Sequence, residues 1–77
     1  MITKFSLTLQ FESHEDLLEY WMKMNLYVDE HTTVRTESWI RGNFLSVEVT
    51  PFPPDQDITP ILRDLLDHCG TLQSLIL

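Results

Sequence analysis

From Thr3 to Phe11 the odd positions are Thr3, Phe5, Leu7, Leu9 and Phe11, while Lys4, Ser6, Thr8 and Gln10 fill the even ones. A period of two belongs to a strand with one face buried, and it predicts one here. The period then changes. Ser13 with Asp16 three residues later resembles a capping box with Asp in place of Glu, and Glu15 and Asp16 suit the positive end of a helix. A helix is therefore expected from about His14, with Leu17, Leu18, Trp21 and Met24 as its apolar stripe. Glu19 and Lys23 pair four residues apart outside that stripe. Asn25 tolerates the left-handed conformation that closes a helix, and Leu26 would then fold back on Trp21.

Tyr27 to Thr33 mixes apolar residues with Asp29, Glu30 and His31, a pattern compatible with loop, bulge or strand start. Beyond Val34 alternation resumes on both sides of Gly42-Asn43, a pair suited to a two-residue hairpin turn. Counting outward from the turn sets Arg41 opposite Phe44, Ile40 opposite Leu45, Ser38 opposite Val47 and Thr36 opposite Val49. The last three pairs share an apolar face, and Arg35, Glu37, Trp39, Arg41, Phe44, Ser46 and Glu48 occupy the other. Pro51, Pro53 and Pro54 end the second hairpin strand, and Asp55 to Asp57 make a polar turn. Thr59 before Pro60 is the entry expected of a second helix, with Ile61, Leu62, Leu65, Leu66 and Cys69 as its stripe and Gly70 as its terminator. Thr71 to Leu77 reads as a final strand, although a helix continuing through Gly70 would also bury Leu72, Leu75 and Ile76.

Strand, helix, two-stranded hairpin, helix, strand is the order of an α+β, ferredoxin-like βαββαβ unit: a four-stranded antiparallel sheet with both helices on one face. A single domain over residues 1–77 is expected. The geometric consequence is a second sheet face left open.

Composition sharpens this picture. The 43% of hydrophobic residues in 77 positions suit a folded globule with a thin core. The alternating N-terminal stretch resembles neither a leader nor a membrane span, so a soluble, cytoplasmic protein is expected, and the single Cys69 excludes an internal disulfide. Twelve acids against five bases leave a net charge of -7, which opposes binding to phosphate backbones or anionic lipid and favours a basic partner.

Trp39 and Phe44 fall on the open face as diagonal neighbours flanked by Arg35 and Arg41, the residue types that hold interfaces together. RNA-recognition motifs use this architecture too, but here Lys4, Ser6 and Thr8 stand where a stacking aromatic is wanted, and the charge is wrong; direct nucleic-acid binding is not expected. The carboxylates lie mostly elsewhere, with Glu15, Asp16 and Glu19 on the first helix and Asp64 and Asp67 on the second. Such a surface can imitate a phosphate array and occupy the basic groove of a nucleic-acid-handling protein, the style of immunity proteins and virus-encoded inhibitors, or serve only to keep the chain soluble.

His14, His31, His68 and Cys69 lack paired ligand spacings, so no metal or other cofactor is expected. Glu15 with Glu19 and Asp64 with Asp67 share helix faces without the shielding that acid-base catalysis needs, and glycine only at 42 and 70 makes no phosphate-cradling loop. The expectation is a non-catalytic protein-binding module, a stoichiometric regulator or inhibitor. The competing readings are a homodimer joined by the open face or an edge strand that binds a small effector, and a structural subunit of a larger assembly.

Overall fold

A computed structural model describes residues 2–30, 34–52, 54, 56–67 and 70–77. Its elements are β1 (Phe5–Gln10), α1 (His14–Glu30), β2 (Val34–Arg41), β3 (Phe44–Pro51), α2 (Thr59–Leu66) and β4 (Thr71–Ile76). The strands form one sheet in the order β2-β3-β1-β4, antiparallel at every pairing, and the fold is ferredoxin-like.

Alternation builds the core. Phe5, Leu7 and Leu9 of β1 and Leu45, Val47 and Val49 of β3 are almost fully buried, whereas the even positions of β1 are not. Leu17, Tyr20 and Met24 from α1 and Ile61, Leu62 and Leu65 from α2 join them in a single cluster. Tyr20 ties its layers together: its ring lies 5.3 Å from that of Phe11, and its hydroxyl donates a 2.7 Å hydrogen bond to the Leu65 carbonyl. The hairpin has the predicted register, from Arg41 opposite Phe44 outward, and Gly42 takes φ +60°, which glycine adopts without a Cβ penalty.

The helices depart from expectation at their ends. The Ser13 hydroxyl caps α1 through the Asp16 amide at 3.1 Å, as predicted. The helix then runs through Asn25 to Glu30, because Tyr27 and Val28 continue the packed stripe one turn further. The stripe rotates with it: Tyr20 is buried, while Leu18 and Leu26 are exposed, so Leu26 does not fold back. At α2, Thr59 is the first helical residue and not the cap. Asp57 does the work, accepting from the Thr59 amide at 3.0 Å and from its hydroxyl. These bonds hold the Asp57 carboxylate below its ordinary pKa, so any stability they confer is present above pH 3.8 and fades as the pH falls through the lowered value. The helix closes at Leu66, four residues before Gly70. The expected placements of His31, Pro53, Asp55, His68 and Cys69 lie outside the described residues.

Gly70 has another role. A Cβ built on it would sit 2.2 Å from the Gln10 carbonyl oxygen and 3.1 Å from the Phe11 ring, so a side chain has no room where the chain turns into β4. β4 then pairs with β1, Leu72 opposite Leu9 and Leu75 opposite Leu7, with a bulge between.

Candidate functional site

The open face is built row by row from the register. Across β2, β3 and β1 the rows read Arg41, Phe44, Gln10; then Trp39, Ser46, Thr8; then Glu37, Glu48, Ser6. Ser and Thr fill the middle of the sheet, with Thr8 and Ser46 hydroxyls bonded at 3.0 Å, so the floor is low and the aromatics stand above it. Trp39 is 52% exposed and Phe44 40%. Trp39 differs in this from Trp21, which is half-buried on the helix side and donates to the Ser38 hydroxyl at 3.1 Å. Arg35 and Arg41 are exposed on the same face as Trp39. Arg35 leans away from the aromatic pair, its guanidinium 4.4 Å from the centre of the exposed Phe52 ring, a cation-π contact that lengthens the apolar strip along β2.

Glu37 and Glu48 are directly opposed, one row from Trp39. Like charges facing each other across a ladder are unfavourable. Among the described residues neither carboxylate has a cationic partner; the ion pair there is Lys23 with Glu19, at 3.1 Å on α1. The open face therefore combines two exposed aromatics with an uncompensated acidic pair.

The acidic helix residues form a separate surface. Glu15, Asp16, Glu19, Asp64 and Asp67 are all exposed on the helix layer, across the sheet from Trp39, so the structure does not gather them into one site with Trp39, Phe44, Arg35 and Arg41. Glu19 is engaged by Lys23, and Asp64 accepts a 2.6 Å hydrogen bond from the Tyr27 hydroxyl. A groove of about 670 Å³ runs beside Asp16 and Glu19, lined also by Phe11, Tyr20, Lys23 and Gly70. Among the described residues no group of three His, Cys, Asp or Glu is placed to hold a metal ion, and no helix is long and apolar enough to cross a membrane.

Partial burial and the neighbouring Asp64 push the Tyr27 phenol up to about 12. A phenol that ionises later in the folded chain stabilises the fold below pH 10, and that contribution is lost as the pH rises through about 12. Thermal melts of Tyr27→Phe are expected to depend less on pH between those values than wild-type melts; an unaltered pH dependence would contradict the contact.

No family model, curated protein or solved structure matches this chain.

Proposed function

We propose that the protein is a non-catalytic binding module that acts stoichiometrically on a basic protein, as a regulator or inhibitor, through its open sheet face. The observation that carries this reading is the juxtaposition of exposed Trp39 and Phe44 with the opposed Glu37 and Glu48. Aromatic side chains offer large contact area at low entropy cost, and the acidic pair selects a partner that brings a lysine or arginine to lie between the two carboxylates. A cation seated between the two carboxylates can meet both at once, so it gains more than one meeting a lone surface carboxylate. The net charge of -7 adds long-range attraction for a basic partner, and the exposed acids of α1 and α2 contribute to that field without touching the partner. A nucleic-acid-handling protein with a basic surface fits this chemistry.

Pull-downs from lysate at low and high salt, with wild type, Trp39→Ala and Glu48→Gln as baits, test the reading. The expected result is a basic protein held at a one-to-one ratio, released by salt, and bound about 30-fold more weakly by Trp39→Ala, the fold-change that corresponds to roughly 2 kcal/mol at a central contact. Glu48→Gln should weaken capture and flatten its salt dependence. Recovery of no partner, or of partners indifferent to salt and to Trp39→Ala, ends the proposal. Circular dichroism should match wild type for both variants, since neither residue is in the core.

A further inference from the structure

The two edges of the sheet are unlike. β2 carries Arg35, Glu37 and Arg41, and charged side chains on an edge strand oppose the addition of another strand. β4, at the other edge, has no such guard: Thr71 to Leu77 contains no charged residue, no proline and no glycine, and every one of its side chains is exposed. Its outer row of backbone N–H and C=O groups has no neighbour within the sheet. Four of the eleven exposed large apolar side chains, Leu72, Leu75, Ile76 and Leu77, lie in these seven residues, so exposed apolar surface is concentrated at this edge.

α2 is short beside the strand that follows it. Eight residues span about 12 Å, whereas six residues of strand span about 20 Å. The helix leaves Leu72 and Leu75, which pair with the buried Leu9 and Leu7 on the helix side of the sheet, 41% and 38% exposed.

We propose that β4 is the interface for a second copy of this chain, paired antiparallel about a two-fold axis into a continuous eight-stranded sheet. Three observations favour a second copy over another partner. A chain of net charge -7 repels itself, and β4 is the edge strand along which two copies can pair without setting strand carboxylates against each other. The strand is also self-complementary. The bulge around Gln73 sets Leu72 and Leu75 on the same side although they are three residues apart, while Gln73 reaches Gln10 on the open side with a 3.0 Å hydrogen bond. A two-fold between Gln73 and Ser74 then sets each Leu72 opposite the second copy's Leu75, and each leucine pair covers what α2 leaves bare. Finally, the strand itself offers a basic partner no carboxylate to pair with, whereas a second copy brings a strand equally free of charge.

The assembly leaves Trp39 free and repeats its face: seven strand spacings separate the two β2 strands, roughly 33 Å along the sheet. The inference is independent of the proposed function, because β4 and the Trp39 surface do not overlap.

Sedimentation equilibrium of the full chain over a concentration series, with Ser74→Glu, Ser74→Lys and Trp39→Ala variants, tests it. Ser74 lies beside the axis on the open side, opposite Thr8, where either charge is tolerated by the monomer and repelled by its own copy. Wild type and Trp39→Ala should reach twice the 9.1 kDa chain mass, and each charged variant should remain at one chain mass. An equimolar mixture of the two charged variants should return to the doubled mass, which also shows that both are folded. A wild type that stays at one chain mass at every concentration overturns the proposal. So does a doubled mass unaffected by either charge, or a mixture that fails to reassociate.

Discussion

Replacing Gly70 with alanine is expected to destabilise the domain by about 3 kcal/mol, the upper part of the range for forcing atoms into filled space. The new methyl group would stand 2.2 Å from the Gln10 carbonyl oxygen. That oxygen is backbone in β1, and β1 lies in the middle of the sheet, so it cannot move aside without disturbing its neighbours. The Phe11 ring, 3.1 Å from the methyl position, is held against Tyr20. Separation of β4 from β1 where Thr71 pairs with Gln10 is the remaining relief. For a chain of this length total stability is about 4–12 kcal/mol, so the loss is a large fraction of it. A fall in melting temperature of roughly 12–24 °C, with faster amide exchange in β4 than in β3, is the expected reading. A variant as stable as wild type would mean that β4 leaves the helix layer by another path.

The second large effect lies between adjacent residues of β3. Leu45→Ala should cost about 2–5 kcal/mol, because Leu45 is fully buried among Leu9, Val47 and the helices. Phe44→Ala, one residue away, should cost less, about 1 kcal/mol, despite removing more atoms, because Phe44 is 40% exposed on the other side of the sheet. Urea unfolding of both variants measures the contrast. Comparable losses would mean that both sheet faces are covered, and the binding surface proposed for Trp39 would disappear with that result.

Much of this was legible in the chain. Period-two alternation fixed which side of β1 and β3 is buried, since a one-residue slip would move Phe5, Leu7 and Leu9 to solvent. Gly42-Asn43 fixed the hairpin register, from which the exposure of Trp39 follows. The end of α1 was not legible. Asn25 offers a local stop, but Tyr27 and Val28 pack onto the core, and tertiary packing outweighs a weak local preference. The buried stripe of α1 is legible in part: Leu17 and Met24 are buried and Trp21 packs against the core, but Tyr20 is buried where Leu18 is expected. Leu17, Leu18, Tyr20, Trp21 and Leu26 are all apolar or amphipathic, and which of them face the sheet depends on how the helix lies across it. Gly70 has the local sequence context of a helix terminator, yet its constraint comes from Gln10, sixty residues earlier in the chain.

The candidate site divides the same way. Trp39 and Phe44 could be placed by counting, and so could the opposition of Glu37 and Glu48, which follows from the same register. The bare edge could not. It depends on how far the helix layer covers Leu72 and Leu75, which stay 41% and 38% exposed, and on the strand order that puts β4 outermost.

The most direct test of the uncovered face is acrylamide quenching of fluorescence in a Trp21→Phe variant, which leaves Trp39 as the single tryptophan. Efficient quenching with the emission of a solvated indole is the predicted result, at concentrations that favour one copy or two. Weak quenching with blue-shifted emission from the folded protein would place Trp39 under cover and contradict the account.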